Sequence, residues 1–186
     1  MNLINKDYQQ QLENMHENGK FANGTKQYKL VRKFLDEYRP TTVLDFGCGK
    51  GGLIAELKKE HPEIKCWGYD PGNPVYSNMP LRTFDAVIST DAIEHIEPEY
   101  LDETLRLLAS KIERCAFLRI ACHPAKKRLP DGRNAHLIVE EPAWWRDRIL
   151  SVMPVSMAWE RIEEFDRREK NPLLFGSKYD VILTRR

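Results

Sequence analysis

Short apolar runs alternate with amphipathic stretches along most of the 186-residue chain. Runs of strand length occupy 42–46, 64–69, 84–90 and 113–122, and apolar positions recur at helical spacing in segments between or before them, for example over 26–38. Short buried strands that alternate with helices are typical of an α/β fold built on a largely parallel sheet. The pattern therefore predicts this class of fold.

The first strand leads into a glycine-rich loop. The strand ends at Asp45 and Phe46, glycines follow from Gly47 onwards, and a helical pattern begins directly after them. A strand, an acid, a glycine turn and a helix in this order open a nucleotide-binding βα unit, because glycine lets a ligand approach the backbone. A carboxylate before the first glycine would repel a pyrophosphate. The loop therefore favours a ligand with a cationic centre and no phosphate.

A second acid, Asp70, ends the second predicted strand and is followed by Pro71. An acid about 20 residues or slightly more beyond a glycine loop is placed to bind the ribose of a nucleoside. A carboxylate suits this task because it accepts hydrogen bonds from two hydroxyl groups at once. We predict Asp70 as a ligand of the ribose.

At these residues the chain resembles the class I S-adenosylmethionine-dependent methyltransferases, whose first motif is similar to 45–51. The resemblance implies a Rossmann-like fold with a mostly parallel sheet, closed by an antiparallel hairpin of 155–165 and 178–186. It implies one domain over 1–186, with a core over 26–186 and an N-terminal arm or lid over 1–25. It also implies that S-adenosylmethionine is the cofactor and that it is held by Asp45, Phe46, Gly47, Cys48, Gly49, Asp70, Pro71, Ser89, Thr90 and Asp91.

One segment departs from the family pattern. Typical members have a helix and a third strand between the second and fourth strands, whereas this chain offers only 71–83, which is rich in Pro, Asn and Gly. Because a crossover between parallel strands needs a dozen or more residues, this segment has no room for a full helix and a strand. We expect the third strand to be missing or vestigial, and the adenine pocket stays unassigned.

The chemistry is expected after strand 84–90 and in the long loop 123–140. Methyl transfer requires the acceptor, the methyl group and the sulfur in line, and a hydroxyl or protonated amine acceptor benefits from a general base. His95 and His136 are the candidate bases, since histidine titrates near neutral pH. The residues expected to surround the acceptor are Glu94, His123, Arg133, Asn134, Trp145 and Tyr8. The basic cluster 126–128 favours an anionic group on a small polar acceptor that is methylated on oxygen or nitrogen.

Two alternatives remain open. Asp91, Glu94, His95 and His136 resemble the ligand set of metal-dependent methyltransferases that act on the 2′-hydroxyl of RNA, and these residue types suit a divalent ion. The favoured interpretation uses no metal. The second alternative is a cofactor-binding module that transfers no methyl group.

The composition adds limits on location and partners. With a net charge of +1, the chain gives nucleic-acid binding no support and leaves it open. The four cysteines form no C-x-x-C pair, which favours free thiols in a reducing compartment. The N-terminus lacks a signal pattern and no apolar run reaches the length of a membrane span. We therefore expect a cytoplasmic enzyme without a membrane partner, and make no prediction of its oligomeric state.

Overall fold

The structure is a computed structural model that describes residues 3–18, 24–166, 168–169 and 175–186. Part of the predicted N-terminal arm and most of the predicted hairpin turn over 171–176 lie outside the described residues. Among the described residues, no helix combines the length and the apolar character needed to cross a membrane.

Six strands form one mixed sheet, and five helices are described. The strands are β1 (Thr42–Phe46), β2 (Lys65–Tyr69), β3 (Phe84–Thr90), β4 (Ile112–Cys122), β5 (Val155–Asp166) and β6 (Phe175–Arg185). The helices are α1 (Lys6–Asn18), α2 (Gly24–Tyr38), α3 (Gly52–Glu60), α4 (Leu101–Lys111) and α5 (Pro142–Val152). Pro142 occupies the first turn of α5, where its missing N–H costs no hydrogen bond.

The strand order is β2-β1-β3-β4-β6-β5. The first four strands are parallel to one another, while β6 runs antiparallel to both β4 and β5. The predicted Rossmann-like sheet with a C-terminal antiparallel hairpin is therefore confirmed. The strands β1, β3 and β4 are largely buried on both faces, which explains why their sequences are nearly continuous apolar runs.

The third strand of the usual pattern is missing, as expected. The described segment between β2 and β3 contains only turns, so that β2 is an edge of the sheet. The backbone N–H of Asp70 donates to the carbonyl oxygen of Tyr76, and the N–H groups of Asn73 and Tyr76 donate to the carbonyl oxygens of Asp70 and Asn73. These bonds fold the segment back on itself.

Three apolar clusters organise the packing. One covers the sheet face under α4 and α5, and a second covers the opposite face under α2 and α3. The third is separate: Ile4 and Tyr8 of the arm pack with Leu129 and Ala135 of the loop after β4. The arm is therefore fixed to that loop, above the carboxyl ends of the strands.

Candidate active site

A cavity of about 830 Å³ lies at the carboxyl ends of β1, β2, β3 and β4. Open α/β sheets bind their ligands at this edge. Its walls include the first glycines of the loop after β1, the acid after β2, the turn after β3 and three histidines. Of the predicted site residues, the cavity is lined by Phe46, Gly47, Gly49, Asp70, Pro71, Thr90, Asp91, His95, His123, His136 and Tyr8.

The glycine loop is shaped by close packing. Gly47 has a φ of 80°, and a Cβ added there would lie 2.3 Å from the Cβ of Ala92 in the turn after β3. Only glycine tolerates both conditions. Its N–H donates to the carbonyl oxygen of Tyr69 at 2.7 Å, which joins the ends of β1 and β2. At this glycine the loop therefore presents only backbone atoms to the cavity.

The carboxylate of Asp70 is held in place at the cavity wall. One oxygen accepts a hydrogen bond from the N–H of Gly49 at 2.8 Å, and the other accepts from the N–H of Gly72 at 2.9 Å. A carboxylate oxygen can accept more than one hydrogen bond, and a carboxylate can accept from two hydroxyl groups at once. This geometry fits the two hydroxyls of a ribose.

Asp45 is buried and does not line the cavity. Its Oδ2 atom has no hydrogen-bond partner. Burial, and secondarily the charge of Asp70, raise the pKa of the Asp45 carboxyl to about 8. An approaching cationic group would stabilise the ionised form, so this orphaned oxygen fits a ligand that carries positive charge. Cys48 and Ser89 are likewise buried and are not part of the cavity wall.

His95 and His136 turn the same ring nitrogen towards backbone carbonyls. Nδ1 of His95 lies 2.7 Å from the carbonyl oxygen of Ala135, and Nδ1 of His136 lies 2.5 Å from that of His123. Because a carbonyl only accepts, each Nδ1 carries the proton and each Nε2 presents a lone pair. Burial lowers the pKa of both imidazoles, to about 4 for His136. The two rings therefore stay neutral at pH 7, with Nε2 unprotonated.

Glu94 completes a cluster of acceptor atoms with these histidines. It is fully buried; Oε1 accepts from the N–H of Ala121 at 3.1 Å, while Oε2 has no partner. Single ligand atoms of Glu94, His95 and His136 lie within 4.8 Å of one another. Burial, and then the charge of Asp91, raise the pKa of Glu94 to about 8. Three converging acceptors need either a proton on Glu94 or a cation between them.

The charge along the cavity is mostly positive. Asp91, at a φ of 50°, forms an ion pair with the Nζ of Lys178 at 3.1 Å. The guanidinium of Arg119 is buried and pairs with Asp180 and Glu163. The basic side chains that line the cavity are Lys26, Lys29, Arg119, Lys126, Lys127 and Lys178, against the acidic side chains Asp70, Asp91 and Glu97.

Two predicted acceptor residues brace the loop after β4. Asn134 accepts from the N–H of Ala125 and donates to its carbonyl oxygen, both at 2.9 Å. Arg133 pairs with Asp131 at 2.8 Å and approaches Glu97. Neither residue lines the cavity. Their polar groups are used inside the loop, which holds His136 in position.

The structure does not bring Trp145 to the cavity. Its side chain is fully buried in the apolar cluster beneath α4 and α5, whereas its neighbour Trp144 is 38% exposed. The expectation of an acceptor-binding role for Trp145 is therefore corrected. The apolar positions of α5 serve to pack the helix on the sheet.

Sequence analysis missed several wall residues. Lys178 lies in β6, a strand that also contains the charged residues Asp180 and Arg185, so its charge alone did not single it out. Gln27 and Leu30 of α2 and Leu12 of α1 also line the cavity, and Gln27 has a buried Oε1 without a partner. Gln27, Leu30 and Leu12 reach the cavity through packing between distant segments, which no local sequence pattern predicts.

Comparisons with known proteins agree with this geometry. A structure of an S-adenosylmethionine-dependent methyltransferase from Archaeoglobus fulgidus has 19% identity and a TM-score of 0.59, covering 88% of this chain and 95% of its own. Magnesium protoporphyrin IX methyltransferase from Synechocystis PCC 6803, with bound S-adenosylhomocysteine, has 19% identity and a TM-score of 0.58, covering 98% and 96%. A plantazolicin methyltransferase in complex with a desmethyl substrate analogue and S-adenosylhomocysteine has 10% identity and a TM-score of 0.60, covering 98% and 92%.

The fold is that of class I S-adenosylmethionine-dependent methyltransferases. The sequence model of a methyltransferase-domain family matches residues 16–185, and the chain belongs to this family. The protein is accordingly an enzyme whose cofactor is S-adenosylmethionine. A comparison with curated protein sequences gives no significant match.

The buried carboxyl of Asp45 predicts a pH-dependent stability. In the unfolded chain this group ionises near pH 4, whereas the folded chain keeps it protonated up to about pH 8. The unfolded state then binds fewer protons, so the free energy of unfolding falls as the pH rises, by at most about 1.4 kcal/mol per pH unit from this group. We expect Asp45→Asn to show a shallower decline than the wild type in urea unfolding between about pH 5 and pH 8. Equal slopes would contradict a buried carboxyl with a raised pKa.

Proposed function

We propose that the enzyme transfers the methyl group of S-adenosylmethionine to an oxygen or nitrogen of a small polar acceptor that carries a negative charge. The observation that carries this proposal is a single cavity with two chemically different ends. One end presents the glycine loop and Asp70, and the other presents the lone pairs of His95 and His136. A cofactor held at the first end would direct its methyl group towards the second.

The cofactor end is assigned by chemical fit. Asp70 would bind the ribose hydroxyls, and the backbone of Gly47 and Gly49 would approach the methionyl part. Asp45 would ionise beneath the loop when the cationic cofactor arrives, acting through its charge. Of the remaining predicted cofactor residues, Phe46, Pro71, Thr90 and Asp91 would line this end. Cys48 and Ser89 are buried behind the wall and would support it.

The acceptor end supplies a base. His136 and His95 present unprotonated Nε2 atoms, so either could remove a proton from a hydroxyl or an ammonium group as the methyl group is transferred. Most of the rate would come from alignment of acceptor, methyl and sulfur, because a displacement at sulfonium needs little further activation. Tyr8 and His123 would form part of the acceptor wall.

The charge of the wall favours an anionic acceptor. Lys126 and Lys127 on the loop after β4, Lys26 and Lys29 on α2, and Lys178 on β6 all line the cavity. Clustered cations attract a phosphate or a carboxylate and raise its local concentration. A small phosphorylated or carboxylated hydroxyl compound matches this wall better than a neutral one.

The base assignment is tested by turnover. A panel of small hydroxyl and amine compounds with phosphate or carboxylate groups is screened for S-adenosylhomocysteine release. With any compound that turns over, we expect His136→Ala or His95→Ala to lower kcat by about 100-fold or more while S-adenosylhomocysteine affinity stays unchanged. His61→Ala is the matched control, since His61 follows α3 and contacts Tyr28 and Glu63 instead of the cavity. Full activity in both cavity variants would remove the histidines from the mechanism.

A second candidate function is favoured by one observation, the convergence of Glu94, His95 and His136. This candidate is metal-dependent methylation of a 2′-hydroxyl of RNA. The donor set fits a divalent ion, because each imidazole donates Nδ1–H to a carbonyl and turns Nε2 inward, as metal-binding histidines do. When bound, such an ion would lower the pKa of an acceptor hydroxyl.

The two candidates differ in their response to metal. If the cluster is a metal site, titration with Mn²⁺ shows saturable binding in the wild type that His136→Ala weakens by about tenfold or more. In that case saturating chelator also abolishes turnover. No saturable Mn²⁺ binding, with turnover that survives the chelator, would exclude the metal-dependent candidate and leave His95 and His136 as bases.

A further inference from the structure

We propose that α1 of the N-terminal arm forms the apolar wall of the adenine pocket, in place of the missing third-strand region. The inference rests on S-adenosylmethionine binding in the cavity described above. It assigns a role to Leu12, a residue that the sequence did not single out.

The segment that follows Asp70 packs on the glycine loop. Besides the turn bonds that fold it back on itself, the side-chain amide of Asn73 donates to the carbonyl oxygen of Gly49 at 2.7 Å. Tyr76 packs on the glycine loop, since a Cβ added to Gly51 would lie 2.4 Å from its hydroxyl. This segment supports the glycine loop. An adenine attached to a ribose at Asp70 therefore has to be covered mainly by another part of the chain.

Hydrogen bonds to the turn after β3 fix the N-terminal arm where it can cover the adenine. The hydroxyl of Tyr8 donates to the carbonyl oxygen of His95 at 2.7 Å, and the N–H of Asn5 donates to the carboxylate of Glu97 at 2.9 Å. The Tyr8 side chain is only 2% exposed. These contacts hold α1 against the turn after β3, so its position is defined without a ligand.

Leu12 reaches the cavity beside Asp70. It lies one helical turn after Tyr8, on the same face of α1. A Cβ added to Gly72 would lie only 2.6 Å from the Cβ of Leu12, so the helix rests directly on backbone two residues beyond Asp70. Leu12 also lines the cavity together with Pro71 and Ile96. Leu12 and Pro71 therefore provide apolar surface next to Asp70.

This arrangement suits a flat aromatic base. A purine ring buries its faces against apolar side chains, and the gain is proportional to the apolar area removed from water. The methionyl part of the cofactor would lie at the glycine loop. Loss of Leu12 should therefore affect the nucleoside part of a ligand and leave recognition of the amino-acid part intact.

The test compares two ligands and two variants by calorimetry. S-adenosylhomocysteine carries both parts, whereas 5′-methylthioadenosine carries only the nucleoside. The variants are Leu12→Ala and Met15→Ala, because Met15 also packs on the cluster between arm and loop but does not line the cavity. Thermal unfolding of each variant confirms that the fold is retained.

We expect Leu12→Ala to weaken both ligands by the same factor of about three to ten, and Met15→Ala to change neither by more than about twofold. If both variants bind both ligands like the wild type, the arm is not the adenine wall. If both variants weaken binding equally, the arm acts only through its docking, and the assignment of Leu12 is also overturned. If the wild type binds neither ligand, the cofactor site itself is wrong, which is a different failure.

Discussion

The site depends on the two backbone hydrogen bonds that the carboxylate of Asp70 accepts. The bond from Gly49 ties the end of β2 to the glycine loop after β1, and the bond from Gly72 sets the path of the chain beyond it. Because Gly72 has no side chain, α1 can lie against this backbone. One carboxylate thus orders the glycine loop and the backbone against which the arm lies.

The opposite end of the cavity has an excess of hydrogen-bond acceptor atoms. Glu94, His95 and His136 bring two lone pairs and a buried carboxylate together, and lowered imidazole pKa values keep protons off the rings. Such a cluster needs a proton on Glu94 or a cation between the three groups. Lysines along the wall supply the opposite charge.

Much of the fold and part of the candidate site could be predicted from the sequence. The glycine loop and Asp70 were predicted because their local pattern dictates backbone geometry, and the missing strand followed from the length of 71–83. Tertiary packing decided the rest. The tryptophan pair of α5 looked alike in sequence, yet Trp145 packs in the core, as only the helix orientation reveals. Lys178 and Leu12 come to the cavity from opposite ends of the chain, through a strand pairing and a helix contact that no local pattern specifies.

The most direct test of the account is calorimetric titration of S-adenosylhomocysteine into the wild type and Asp70→Ala. Asp147→Ala serves as the control, because Asp147 is exposed and pairs only locally with Arg146. The account predicts that loss of Asp70 weakens binding by about 1–3 kcal/mol, the cost of removing hydrogen bonds to a charged group, while the control binds like the wild type. Unchanged affinity in Asp70→Ala would contradict the placement of the cofactor on which the description of the cavity rests.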